Sequence, residues 1–249
     1  GSIITALEAG TPPLLVPRKA ERGEHTDDQQ LETAAGWEGR AGLSVARSTD
    51  ELESMLREDA VATPDLGENG DVEAERLQDT IADILAAKAE ATGGQLTVVC
   101  PSPPGGHLTQ LLQLSDVLDE YDTRYLTWDE EITGSVEGAE PVTGYHLEEF
   151  PDPEMLRDLA VSEFEILRDL IADPPDVVIS TGGGSFVISA VYLAKALGAD
   201  VIHIESLTRF DSASTTGQIL APIADRLFVQ HPAVRSEYGV RAEYEGKLF

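Results

Sequence analysis

An α/β fold built on a parallel sheet is predicted for most of this chain, on three observations. From Leu96 to Gln230, short apolar runs alternate with helix-length segments, the order expected of a parallel sheet with right-handed crossovers. Glycine-rich loops directly follow two of those runs, as "PSPPGGH" (Pro101–His107) and "STGGGS" (Ser180–Ser185). With 249 residues, 41% of them hydrophobic, the chain is long enough to bury a sizeable core.

Taken in order, residues 3–9 read as a short helix stopped by Gly10, and Pro12 and Pro13 forbid its continuation. "PLLVP" (Pro13–Pro17) reads as a brief buried strand, and "DDQQLETAAGWEG" (Asp27–Gly39) as a helix whose acidic start suits its dipole. Ser48 to Glu51 opens another helix, with Leu52 and Leu56 four residues apart. "AVATPDLGENGDVE" (Ala60–Glu73) is polar and without periodicity, a linker. The following "AERLQDTIADILAAKAEA" carries Leu77, Ile81, Ile84 and Leu85 on one stripe. Its polar face is acidic, which favours packing on the next domain over lying on a membrane surface. Then come a strand at Leu96–Cys100, a helix from about His107 to Leu118, a strand in "TRYLTWD" and a helix in "SEFEILRDLIAD". "DVVIS", "FVISAVYLAKALG", "DVIHIES", "GQILAPIA" and "RLFVQ" complete the alternation, a Rossmann-like domain. Residues 1–58, 59–93 and 94–249 form the expected divisions.

Forty-six acidic residues against 17 basic ones give a formal net charge of −29, which repels a nucleic-acid backbone. Carboxylates spread along the whole chain, with only Lys19, Lys88, Lys195 and Lys247 as lysines, suggest a surface adapted to concentrated salt. Cys100 is the single cysteine, so no intramolecular disulfide forms and a reducing, cytoplasmic compartment fits. No apolar run approaches the ~20 residues that span a bilayer, so membrane contact is expected to be peripheral. "GSIITALEAGTPPLLVP" reads as a chain that starts inside a fold, with an N-terminal part missing.

In such sheets ligands bind beyond the carboxyl ends of the strands, which singles out the two glycine loops. Gly105, Gly106, Gly182, Gly183 and Gly184, with Ser185, let the backbone approach a ligand, and the N–H groups at the following helix start attract anions. The alternative is that these glycines only make tight turns. Neither loop is GxGxxG or ends in GK[ST], so dinucleotide binding and nucleotide hydrolysis are not indicated. His107 stands at a helix start, where the dipole favours neutral imidazole and suits a general base; capping or packing is the other reading. Glu205 and Ser206 end a strand, where a carboxylate can orient a sugar hydroxyl or act as a base, and Arg209 could pair with it or with phosphate. His203 reads as a core histidine, while His25, His146 and His231 fall in loop-like contexts that carry no signal.

From Leu96 to Phe249 these residues resemble a known family. "GGH" (Gly105–His107), "DVVISTGGGSFV", "GADVIHIESLTRFDSASTTGQILAPIADRLFVQ" and the terminal "GKLF" are similar to the membrane-anchored subunit of the two-part UDP-GlcNAc transferase that adds the second sugar to dolichol-linked GlcNAc. Residues 1–58, through "GSIITALEAGTPPLLVP" and "DDQQLE", resemble the C-terminal part of its donor-binding partner. Both are similar to the domains of the bacterial transferase that adds GlcNAc to lipid-linked muramyl peptide. The resemblance implies the GT-B arrangement of two Rossmann-like domains, inversion at the anomeric carbon, no metal and no other cofactor. It places Thr5, Gln29 and Gln30 on the UDP-sugar donor, with Thr5 standing where the pattern has a ribose-holding glutamate. It gives His107 and Glu205 the catalytic positions, and gives Gly105, Gly106, Gly182, Gly183, Gly184, Ser185, Ser206 and Arg209 to a lipid-linked pyrophosphate acceptor. The family's membrane-spanning helix is replaced here by the amphipathic segment ending near Ala91. The expected partners are a UDP-sugar, a lipid-linked sugar, the cytoplasmic membrane face, and a donor-domain protein or a second copy. Two other expectations are a non-catalytic acceptor-docking scaffold and a sugar-nucleotide epimerase, though no second acid–base constellation is evident for the latter.

Overall fold

The computed structural model describes residues 3, 6, 11, 13–22, 29–38, 43–58, 69–127, 136, 139–141 and 164–248. It divides into two compact units, Gly1–Glu73 with Phe249, and Ala74–Leu248. The division falls inside the stretch 59–93 read from sequence as linker and helix.

In the first unit, strand β1 (Leu14–Leu15) pairs in parallel with β2 (Ser44–Val45). Helix α1 (Gln29–Trp37) lies between them in sequence, and α2 (Thr49–Glu58) follows. Among the described residues, Ala34, Trp37, Leu43, Val45 and Ala46 are its buried apolar side chains. Ser48 Oγ accepts the Glu51 N–H at 3.2 Å, which satisfies one of the free donors at the start of α2. The Leu52/Leu56 stripe is only half realised, because Leu56 is exposed. The short helix expected over residues 3–9 lies, apart from Ile3 and Ala6, outside the described residues.

Helix α3 runs from Asn69 to Thr92, so it takes up the last residues of the expected linker, and from Ala74 onward it belongs to the second unit. Leu77, Ile81 and Leu85 recur every four residues and are fully buried, as the amphipathic reading requires. Each contributes roughly 1.5–3 kcal/mol by burial. This stripe packs into the core with Val98, Cys100, Ile202, Ile204, Phe228 and Leu248, so the helix covers one face of the sheet.

Among the described residues the sheet has seven strands: β3 (Thr97–Pro101), β4 (Asp122–Thr127), β5 (Ala139–Pro141), β6 (Val177–Ser180), β7 (Asp200–Ile204), β8 (Arg226–Phe228) and β9 (Ala242–Glu243). Their order is β5-β4-β3-β6-β7-β8-β9, and every pairing is parallel. The α/β class read from the sequence is therefore what the structure has. Alternation divides each strand between two cores. Val98 and Cys100 face α3, whereas Val99, Val178 and Val201 join Phe186, Val187, Ala190 and Val191 on the other side. Both faces are covered, as an all-parallel sheet requires.

Two edge strands escaped the sequence reading. β5 and β9 are three and two residues long, too short to show alternation. β9 is held by Arg226, whose Nε and Nη2 each donate to a Glu243 carboxylate oxygen at 2.6 Å. The helix expected from His107 to Leu118 is in fact two, α4 (Gly106–Leu112) and α5 (Ser115–Leu118). The Leu114 N–H donates to Leu111 O, three residues back, and this tightened turn brings Leu111, Leu114 and Leu118 together into the core. No helix among the described residues is long and apolar enough to cross a membrane.

Candidate active site

The chain leaves β3 toward β4 and β5 on one side, and β6 to β9 lie on the other. The junction between β3 and β6 is therefore the point where crossovers diverge, the usual ligand position in such sheets. Both glycine loops emerge there. A Cβ on Gly183 would lie 2.5 Å from Pro103 Cγ, so the loops touch, and φ of 130° independently favours glycine at that position. Helix α7 (Ser185–Ala196), which follows α6 (residues 164–172), begins at Gly184 and α4 at Gly105, neither with a side-chain cap.

His107 sits in the first turn of α4 and is locked by a reciprocal pair. Its Nδ1 is 2.8 Å from Thr181 O, and the Thr181 hydroxyl donates to His107 O at 2.9 Å. A carbonyl can only accept, so Nδ1 carries the proton, and the neutral ring presents a bare Nε2. Burial holds the imidazole below its ordinary 6.5, against the upward pull of the Thr181 carbonyl and of Glu205. Gly182 lies against the ring edge: a Cβ there would be 3.3 Å from His107 Cε1.

Glu205, just past β7, is 1% exposed. Its Oε1 accepts from Ser206 N at 2.8 Å, and its Oε2 accepts from Ser214 N at 3.0 Å, from Ser214 Oγ at 3.1 Å and from the Tyr238 hydroxyl. Burial pushes the carboxyl up, but the electrostatic pull of neighbouring His203, followed by these donors, outweighs it and holds it below the usual carboxylate value. Glu205 is thus an ionised acceptor with three donors on Oε2 and one on Oε1. Arg209 is not among its donors; the Arg209 backbone closes a turn onto Ser206 O at 3.0 Å. Ser206 is buried, with its hydroxyl 3.0 Å from Thr208 Oγ1.

The sequence reading missed the side chains that tie these parts together. Gln110, one turn beyond His107, accepts from Leu207 N at 2.9 Å and from Gln230 Nε2 at 2.8 Å. Gln230 also donates to Glu205 O and accepts from Leu248 N, which seats the terminal "GKLF". Ser214 caps helix α8 (Thr215–Leu220) by accepting Gly217 N, a signal legible in "STTG". His231, set aside from sequence, is buried: its Nε2–H donates to Leu207 O at 2.7 Å, and its ring stacks on Phe210.

His203 is a core histidine, as expected, fully buried on β7 beside Ser180 of β6. Burial drives its pKa down to about 4. Between pH 6.5 and about 4 the unfolded chain binds a proton that the native state refuses, so stability should fall as pH drops through that window. The full loss is on the order of 3 kcal/mol. Urea midpoints at pH 7.5 and pH 5 check this, and in His203→Leu the acid-side loss should shrink.

In the first unit, Gln30 Oε1 accepts from Arg18 N at 3.0 Å and lines a cavity of about 160 Å³ with Leu15, Val16, Pro17 and Thr33. Thr5 and the side chain of Gln29 lie outside the described residues, as do His25 and His146.

Residues 155–248 match the family described as "Oligosaccharide biosynthesis protein Alg14 like". This segment is Alg14-like. The UDP-N-acetylglucosamine transferase subunit alg14 of Schizosaccharomyces pombe is 43% identical over 76 residues, 29% of this chain and 36% of that protein. The Candida albicans subunit ALG14 is 28% identical over 173 residues, 62% of this chain and 78% of that protein. The chain thus spans about a third of the first Alg14 relative and most of the second. Among solved structures, Acinetobacter baumannii MurG overlaps with a TM-score of 0.47 at 15% identity, over 61% of this chain and 45% of its own. UDP-N-acetylglucosamine 2-epimerase from Rickettsia bellii gives 0.46 at 14%, over 62% and 45%. The Alg14-like residues 155–248 contain the triple glycine, Glu205, Ser206 and Arg209, while His107 is contributed from outside them.

Proposed function

We propose that this chain is part of an inverting glycosyltransferase that moves GlcNAc from UDP-GlcNAc to a polyprenyl-linked acceptor. The observation that carries the reading is His107, neutral, with its tautomer fixed by Thr181 and its ring between two glycine loops at the switch point of the sheet. His107 Nε2 takes the proton of the acceptor hydroxyl as its oxygen attacks the anomeric carbon. The bond from that carbon to the UDP β-phosphate oxygen breaks, and UDP leaves with the electron pair. The acceptor pyrophosphate lies on Gly105, Gly106 and Gly182 to Gly184, near the amides that open α7, with Ser185, Ser206 and Arg209 about it. Thr5, Gln29 and Gln30 face the donor in residues 1–58, a donor-binding segment joined through 59–93 to the acceptor domain 94–249. The chain works on the cytoplasmic membrane face by peripheral contact.

The test is incubation of the complete protein with UDP-GlcNAc and a short lipid-pyrophosphate sugar acceptor. Release of UDP with an extended glycolipid supports transfer; failure with this and other nucleotide sugars sinks it. The word "subunit" in the relatives' names favours a second reading, an acceptor-docking chain that recruits a separate donor-binding protein. Calorimetric titration decides between them, because a docking chain binds no UDP-sugar without that partner.

A further inference from the structure

Glu205 is buried and ionised, with one donor on Oε1 and three on Oε2, so it is an anchor shut away from solvent and not an exposed base. Its contacts lead instead toward His107 along two routes. Through the side chain, Glu205 holds Ser214, whose hydroxyl donates to the carboxylate and accepts Gly217 N–H at 2.9 Å, fixing the start of α8. One residue before Gly217, Thr216 Oγ1 accepts Gly184 N–H at 3.2 Å and so ties α8 to the triple-glycine loop. That loop supplies the Thr181 carbonyl that sets the His107 tautomer, and Gly182 bounds the ring. Through the main chain, Glu205 O accepts from Gln230 Nε2, which also donates to Gln110 on α4.

We propose that Glu205 is a positioning residue: its carboxylate clamps Ser206, Ser214 and Tyr238, and through Thr216 keeps the triple-glycine loop seated against His107. This rests on the reading of His107 as the base, but its test does not depend on sugar transfer. Gln at position 205 matches the shape and loses acceptor capacity, because its NH₂ can only donate. Thr216→Val cuts the relay further along and leaves the Glu205 cluster intact.

The full chain is labelled with ¹⁵N and with ¹³C-histidine and followed by NMR. Amide exchange at Gly182–Gly184 should accelerate roughly five- to tenfold in both Glu205→Gln and Thr216→Val. In both, the ring-nitrogen shifts of His107 should move from a single Nδ1–H tautomer toward a mixture. A merely structural role for Glu205 predicts a uniform change across all slowly exchanging amides, with Thr216→Val silent at the glycine loop, and that pattern overturns the proposal. Wild-type exchange and tautomer in Thr216→Val overturn it even if Glu205→Gln does not fold. Loss of the transfer assay with an intact relay would count against the function and not against this inference.

Discussion

Replacing His107 with glutamine is expected to lower sugar transfer by roughly a hundred- to ten-thousand-fold, the span that a positioned general base supplies. Glutamine retains polarity and approximate size but has no basic nitrogen. The fall should appear in kcat with little change in acceptor KM, because the pyrophosphate contacts assigned to the glycine loops do not pass through the ring. The pH profile gives a second readout. Burial holds the imidazole below 6.5, so the neutral form already dominates at pH 7 and the wild-type rate should be flat there. It should drop only in more acidic buffers, as Nε2 takes a proton from solvent. Glutamine has no such acid limb, and a variant that kept one would show that another group is the base.

Gly217→Ala should destabilise the second unit by roughly 2–4 kcal/mol, even though alanine is the better helix former by about 1 kcal/mol. Gly217 lies inside α8, so no positive φ demands glycine. Space does. An added Cβ would lie 2.5 Å from Glu205 Oε2 and 3.0 Å from Ser214 Oγ, and would collide with the Tyr238 hydroxyl. Any relief pulls a donor off a buried carboxylate, and the unsatisfied charge decides the sign. Urea unfolding measures the loss. The double variant Gly217→Ala with Tyr238→Phe should recover part of it, since the hydroxyl nearest the new methyl is gone. Gly184→Ala makes a useful contrast: nothing lies within 4 Å of its Cβ, so its cost is the backbone strain at φ 83°, ψ −157° alone, about 1–3 kcal/mol.

The parallel sheet and the stripe Leu77, Ile81, Leu85 were legible because periodicity is a local property, repeated within one element. β5 and β9 were not, since edge strands of three and two residues take their definition from a neighbour. Among the candidate residues, the glycines and His107 were found by position alone, directly after a strand and at a helix start. His231 was passed over because its partners, Leu207 O and Phe210, lie more than 20 residues back in the chain.

Glu205 marks the boundary between the two kinds of information. Its residue type and its place at a strand end are written in "DVIHIES", and a strand-end carboxylate reads naturally as a base. Its role depends on Ser214, nine residues on, and Tyr238, 33 residues on, meeting around it, while Gln110 and Gln230 join across 120 residues of chain. Strand, helix and turn identity follow from steric and hydrophobic preferences of adjacent residues, so the chain alone specifies them. Whether a carboxylate is a free base or a buried anchor is set by burial and by donors that only folding brings within about 3 Å, because hydrogen bonding is short-ranged and blind to distance along the chain.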